Sequence, residues 1–398
     1  MKKLVLAYSG GLDTSYCLRS LSQEGYEIHA VSVNTGGFLS EDLQAMEHRA
    51  YALGATHFEN IDALKTYYQR IVQYLLYGNV LRNGSYPLSV SAERIVQGLE
   101  IITYAQKIGA DAIAHGSTGA GNDQVRFDMI FQILAPEIEI ITPIRDQQLS
   151  RQEEINYLKA EGFAMSWEKA KYSINQGLWG TSVGGAETLT SDQPLPEHAY
   201  PSPLKREDTE QIQIHFEKGE AVALNGKKDH PVAIIQQLQA IAAPFAIGRD
   251  IHVGDTIVGI KGRVGFEAAA PILLIKAHQL LEKHTLSKWQ LFQKEQLSQF
   301  YGLQLHEGHY LDPVMRDIEA FLSSSQKTVN GTVSVALHPY RFEMQGIVSK
   351  QDLMQGTFGS YGEMNTAWNA EEAKGFVKVL STSAKVYHAV NKNQWKTL

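Results

Sequence analysis

The sequence predicts an α/β protein: a doubly wound parallel sheet over residues 1–166, a second α+β domain over 167–365 and a C-terminal helical arm over 366–398. Three observations carry this. Apolar runs alternate with helical patterns from Lys3 to about Ser166, the rhythm of a parallel sheet with crossover helices. The first run, Leu4 to Ala7, suits a strand buried on both faces and breaks into Ser9-Gly10-Gly11. Beyond Ser166 the rhythm stops, and Pro194, Pro196, Pro201 and Pro203 crowd a stretch that no helix or central strand tolerates.

The elements follow in order. Ile28 to Val33 is a second strand, ended by Asn34-Thr35-Gly36-Gly37. Ser40 to Leu53 reads as a helix stopped by Gly54. Thr56 to Ile61 is a strand, and Leu64 to Leu76 is helical with Ile71, Leu75 and Leu76 on one face. A polar loop spans Gly78 to Ser91. Ala92 to Ile108 is a helix, Ala110 to Ala114 a strand, and Glu137 to Ile141 another. Ser150-Arg151-Gln152-Glu153 is a capping box opening a helix. In the second domain, Tyr172 to Glu187 reads as irregular. Ile212 to Phe216 and Ala221 to Leu224 form a hairpin. Val232 to Ile241, Ile272 to Lys283 and Leu286 to Tyr301 are helices, and Val329 to Leu337 and Phe342 to Val348 alternate as strands. Asn369 opens a last helix with Phe376, Val377 and Leu380 on one face, a candidate subunit-swapped arm.

A strand that turns through glycines into a helix is an anion-binding design, because free N–H groups and the positive dipole end face the ligand. Ala7 to Ser15 has this form. It lacks the Gly-Lys-Ser/Thr ending of a Walker loop and the Gly-x-Gly-x-x-Gly spacing of dinucleotide folds. The other reading is an ordinary turn with Asp13 capping the helix. A second glycine loop, His115 to Gln124, also follows a strand. There Thr118, Asn122 and Asp123 stand close together, and Arg126 offers a planar fork for a carboxylate. Taken alone, this run equally fits a turn with Asx capping and a surface arginine. Two such loops at strand ends of one sheet point to a shared site.

The whole chain bounds the function. With a net charge of −7 there is no basic footprint for nucleic acid. Cys17, the only cysteine, excludes an internal disulfide and a cysteine zinc site. No apolar run approaches the ~20 residues of a membrane span, and Met1-Lys2-Lys3 leads into a strand, so a soluble cytoplasmic protein is expected. His115, His215, His306 and His309 are scattered, with only a loose His306/His309 pair, so no metal is assigned to protein ligands alone.

The first loop, Ser-Gly-Gly-x-Asp-Ser/Thr-Ser, resembles the pyrophosphate loop of the N-type ATP pyrophosphatases. The second, Thr118-Gly119-Ala120-Gly121-Asn122-Asp123-Gln124-Val125-Arg126-Phe127, is similar to that of the argininosuccinate synthases. Lys171-Tyr172-Ser173-Ile174, Gly219 to Gly226, Ala246 to Asp250, Gly262-Arg263 and Phe358-Gly359 extend the likeness over nearly the whole chain. The resemblance implies an ATP pyrophosphatase-like first domain, a synthetase and multimerisation domain, and a homotetramer. It also implies a two-step ligase: the ureido oxygen of citrulline displaces pyrophosphate from ATP, and the amine of aspartate then displaces AMP. ATP falls to Ala7, Tyr8, Ser9, Gly10, Gly11, Leu12, Asp13, Thr14, Ser15, Val33 and Gly116, with Mg²⁺ near Asp13. Aspartate falls to Thr118, Asn122 and Asp123, with Asp123 facing its ammonium. Citrulline falls to Tyr86, Ser91, Asn122, Arg126, Ser173, Ser182, Gly254 and Phe266, with Arg126 facing its carboxylate. Ser9, Asp13, Thr14, Asp123 and Arg126 form the catalytic set.

The chain departs from the family pattern at Ala120, where lysine is frequent, at Asn175, usually aspartate, and at Gly254 and Phe266, usually glutamate and tyrosine. Gly254 is expected to remove an acceptor for the α-ammonium and to open volume, so N-acylcitrulline stands as an alternative substrate, unless Asp255 or water takes over the contact. Three rivals are weaker. A sulfur-inserting tRNA enzyme needs more cysteines and a basic face. An amidotransferase needs a glutaminase. A nucleotide sensor has no use for the Thr118–Arg126 cluster.

Overall fold

The structure is a computed structural model and describes residues 1–163, 171–356, 362–363 and 367–391. The expected boundary at 166/167 and the Phe358-Gly359 motif lie outside these residues. The chain divides into two compact units, Met1–Gln351 and Asp352–Leu398.

Strands β1 (Lys3–Ala7), β2 (Glu27–Asn34), β3 (His57–Asp62), β4 (Ala112–Ala114) and β5 (Glu139–Ile141) form a parallel sheet in the order β3-β2-β1-β4-β5. The two-residue period of the strands divides their side chains between two cores. Leu4, Leu6, Ile28 and Ala30 pack against Leu18 and Leu21 of helix Leu12–Gln23 and Ala50 and Leu53 of helix Ser40–Leu53. Val5, Val31 and Ile113 face the other way, with Ile95, Val96 and Ile102 of helix Ser89–Ile108. The sheet is thus doubly wound, as expected. Gly54 ends its helix in the left-handed region (φ 108°), and Ser150 and Glu153 form the expected capping box.

Later come β6 (Ser173–Gly177), β7 (Gly180–Gly184), β8 (Glu210–Glu217), β9 (Glu220–Leu224), β10 (Lys227–Lys228), β11 (Arg249–Asp255), β12 (Lys261–Glu267), β13 (Gly331–His338) and β14 (Arg341–Val348). They build two antiparallel sheets, β10-β9-β8-β13-β14 and β11-β12-β7-β6. The stretch read as irregular, Tyr172 to Glu187, is therefore largely the hairpin β6–β7. The β11–β12 hairpin and helix Pro313–Ser325 were not foreseen, although Asp312 caps that helix and Pro313 opens it. The Gly78–Ser91 loop is shorter than expected, because the next helix starts at Ser89 and takes Ser91 into its first turn. The last helix, Ala370–Leu380, has Asn369 as its N-cap in a capping box with Glu372, and Phe376, Val377 and Leu380 are exposed.

One buried charge pair locks the second half. Lys294 Nζ lies 2.7 Å from Glu282 Oε2, and both side chains are buried. Glu282 also accepts from Asn79 Nδ2 at 2.6 Å and Gln326 Nε2 at 3.0 Å. Removing the lysine leaves a carboxylate in the core, a loss of about 3–5 kcal/mol. Lys294→Met is therefore expected to lower the urea unfolding midpoint sharply. A midpoint equal to that of the unaltered protein would refute the assignment.

Candidate active site

The strand order reverses at β1, which has β2 on one side and β4 on the other. Loops leaving the carboxyl ends of such strands flank a crevice. The two glycine loops leave β1 and β4, and they touch. A Cβ on Gly116 would stand 3.1 Å from the Asp13 side chain and 3.2 Å from Thr14 N. The crevice opens into a cavity of about 1070 Å³ that reaches β6, β7 and β11.

The first loop is bent by Gly10, whose φ of 72° belongs to the left-handed region. Arg49 Nη1 donates to the Gly10 carbonyl and fixes the bend. Gly11 is the N-cap of the following helix and lends it no side chain, so the first-turn N–H groups stay available to an anion. The Ser9 and Thr14 hydroxyls are 3.3 Å apart. Ala7, Tyr8, Ser9, Gly11, Leu12, Asp13, Thr14, Val33 and Gly116 line the cavity. Gly10 and Ser15 do not: Gly10 shapes the turn, and Ser15 is fully buried. Beside Asp13 lies buried Glu154, whose carboxyl is held well above the usual range by burial and then by the Asp13 charge.

The second loop carries a charge cluster. Asp123 opens helix Asp123–Leu134 and accepts from Arg94 Nε and Arg126 Nη1, each at 2.9 Å. Burial alone would raise its pKa, but the two guanidiniums hold it below the ordinary value. Arg126 is buried, and its Nε and Nη2 donate to the His306 carbonyl at 3.0 and 2.8 Å. The fork expected to take a substrate carboxylate is thus already engaged. Asp123 thus accepts one guanidinium hydrogen bond on each oxygen, and its side chain stays 32% exposed. Burial, and then Arg126, push His306 down to about 2, so its imidazole is neutral. Asn122 Oδ1 accepts from Ile257 N at 2.8 Å and ties the loop to the β11–β12 turn. Arg94 also donates to Asn175 Oδ1 at 3.2 Å, so the residue that departs from the family aspartate serves as a neutral acceptor.

Tyr86, Ser91, Ser173, Ser182 and Gly254 also line the cavity, as does Thr118 of the second loop. Two expectations are corrected here. Gly254 opens no volume: a Cβ there would meet His252 Nε2 at 2.6 Å, because the imidazole fills that place and stacks on Tyr86 with ring centroids 5.1 Å apart. Phe266 is not in the wall; it is buried behind Tyr86, centroids 5.3 Å apart. Asp255 turns to Lys261 at 2.6 Å.

Arg94, Glu93, His252, His306, Arg49 and Glu154 were missed. Glu93-Arg94 had a signal: two adjacent charges in the second turn of a largely apolar helix. The histidines carried none, since tertiary packing alone brings them in. One metal-capable group was also missed. The ligand atoms of Glu27, His29 and His57 lie within 4.8 Å of one another. The β2–β3 register sets His57 opposite His29, near the amino ends of these strands and away from both loops.

A five-stranded parallel sheet with phosphate-type loops at its reversal point defines a nucleotide-binding domain of the HUP class. The model described as the argininosuccinate synthase N-terminal HUP domain matches residues 3–164, and that of the argininosuccinate synthase C-terminal domain matches 172–387. Curated relatives named argininosuccinate synthase include that of Methanocaldococcus jannaschii, 36% identical over 98% of this chain and 99% of its own length. Those of Xanthomonas axonopodis pv. citri and Halalkalibacterium halodurans are also 36% identical, each over 98% of this chain and 96% of their own length. The chain belongs to the argininosuccinate synthase family.

The carboxylate of Asp13 enters the cavity from the first turn behind the anion loop. Asp13→Ala is expected to reduce ATP-dependent turnover by at least about 100-fold with an unchanged circular dichroism spectrum. Near-normal turnover in the folded variant would remove Asp13 from the catalytic set.

Proposed function

We propose that the protein ligates citrulline to aspartate at the expense of ATP, releasing pyrophosphate and AMP and forming argininosuccinate, as the names of its relatives describe. The observation that carries the reading is the contact between two glycine loops at one reversal point. It places an anion loop and the Arg94–Asp123–Arg126 cluster on a single cavity.

A ureido carbon is a poor electrophile. In the first step the ureido oxygen attacks the α-phosphorus and pyrophosphate leaves. In the second step the aspartate amine attacks the activated carbon and AMP leaves. Catalysis then rests on positioning and on donors aimed at developing charge. Gly11, the N–H groups of residues 12–14 and the Ser9 and Thr14 hydroxyls hold the pyrophosphate. The Asp13 carboxylate, with phosphate oxygens, makes the hard donor set that Mg²⁺ prefers; the ion supplies charge neutralisation on the phosphates. Thr118 and Asn122 receive aspartate. Tyr86, Ser91, Ser173 and Ser182 receive citrulline. Arg126, tied to His306 and Asp123, positions the second loop. Free citrulline is the substrate in this reading, because the room expected for an acyl group holds His252. Among the described residues no helix is long and apolar enough to cross a membrane.

Oxygen-18 placed in the ureido group is expected to appear in AMP. Label absent from AMP would exclude attack by that oxygen. For assembly, we propose a homotetramer held partly by the last helices. Phe376, Val377 and Leu380 form an exposed stripe, and burying three such side chains against another subunit is worth roughly 1.5–3 kcal/mol each. Deleting the chain from Asn369 should lower the mass measured by light scattering. A tetramer that survives the deletion would release the arm from this role.

A further inference from the structure

Four carboxyl side chains line the cavity among the described residues: Asp13, Glu93, Asp123 and Asp255. Asp13 belongs to the anion loop. Asp123 is neutralised by Arg94 and Arg126, and Asp255 is paired with Lys261. Glu93 is different. It is only 3% exposed, and among the described residues its buried Oε1 has no hydrogen-bond partner. A buried carboxyl oxygen without a donor costs stability unless a partner completes it.

The surroundings are built to admit this carboxyl. A Cβ on Gly177, at the end of β6, would fall 1.5 Å from Glu93 Oε1, so only glycine leaves room for it. The next residue, Arg94, carries Asp123 of the loop that receives aspartate. The groups that act on Glu93 are Arg94 from its own helix, the Thr35 hydroxyl after β2 and the Asp123 carboxylate, with the Tyr67 and Tyr86 phenols in its field. Burial, the largest effect, pushes its carboxyl up to about 8, against the pull of Arg94. A cation brought alongside favours its ionised form.

On the reading of the reaction given above, we propose that Glu93 receives the ammonium of the incoming aspartate and takes its proton, so that the amine attacks as the free base. An ammonium nitrogen has no lone pair to offer. The ionised Glu93 carboxylate accepts one proton and becomes the acid, and the amine forms a bond to the ureido carbon of the adenylate. A second amine proton passes to a nitrogen of that group. The carbon–oxygen bond breaks with its electron pair going to AMP, and the product is a guanidinium. Glu93 returns its proton to solvent as product leaves.

The test separates the two half-reactions. In Glu93→Gln, citrulline-dependent exchange of pyrophosphate into ATP should stay within about twofold of the unaltered enzyme, while argininosuccinate formation falls about 100-fold or more. Hydroxylamine, a nucleophile unprotonated at neutral pH, should release AMP equally well from both proteins. The rate of amine capture should rise with pH through about 8 in the unaltered enzyme, and in the variant the rise should move to the higher pH at which the amino acid loses its own proton. Argininosuccinate formed at the normal rate by Glu93→Gln would overturn the proposal. So would an equal fall in exchange and ligation, which marks a packing role. If the unaltered enzyme shows no citrulline-dependent exchange, the ligase reading itself fails, and the assignment of Glu93 falls with it.

Discussion

The ion bridge Arg94–Asp123–Arg126 is the constraint on which the site depends. It joins helix Ser89–Ile108, the second glycine loop and, through the His306 carbonyl, the end of helix Lys288–His306. These segments are far apart in sequence: Arg126 and His306 are separated by 180 residues. Arg126 is buried while Arg94 and Asp123 are part-buried, so breaking the bridge leaves a buried guanidinium without its countercharge. The loop that follows β4 is therefore held from behind. Its glycines allow close approach to a ligand while Asp123 and Arg126 prevent it from drifting.

The other half of the site rests on strand order. Since β1 lies between β2 and β4, the loops leaving β1 and β4 part around a crevice and yet touch at Gly116. A side chain at 116 would push into Asp13 and Thr14 and open the gap between the anion loop and the charge cluster. The Asn122–Ile257 hydrogen bond extends the same logic to the third sheet, whose β11–β12 turn completes the cavity wall.

Both glycine loops could be read from sequence because their information is local: strand, glycine turn, hydroxyls and a helix start within a dozen residues. The parallel sheet was legible for the same reason, since its strands are nearly continuous apolar runs. The hairpins β6–β7 and β11–β12 were not. Ser173–Gly177 and Arg249–Asp255 are polar or glycine-containing and largely open to solvent on one side, so no hydrophobic period marks them. Gly254 and Phe266 show a subtler limit. Reading each position by itself predicted an enlarged, less polar pocket. The structure places the His252 imidazole where a side chain at 254 would lie, and turns Phe266 away behind Tyr86. A pocket position is defined by what its neighbours do with the space, and that information is tertiary.

The carboxyls around the cavity have opposite environments, and this sorting suits a two-step ligation. Asp123 is kept ionised by two guanidiniums at 2.9 Å, so its charge serves the scaffold and does not follow the pH near neutrality. Glu154 is pushed the other way by burial and by Asp13, so the pair carries less negative charge than two free carboxylates and repels an incoming polyphosphate less. Glu93 is raised by burial against the pull of Arg94 and the Thr35 hydroxyl, and it remains mostly protonated at neutral pH until a cation arrives. During adenylylation, when ATP and citrulline occupy the site, a neutral Glu93 adds no charge to disturb the α-phosphorus. The aspartate ammonium then brings the countercharge that ionises it, and the same group becomes a base at the step that needs one. The order of the chemistry is thereby tied to the order in which charges enter the cavity.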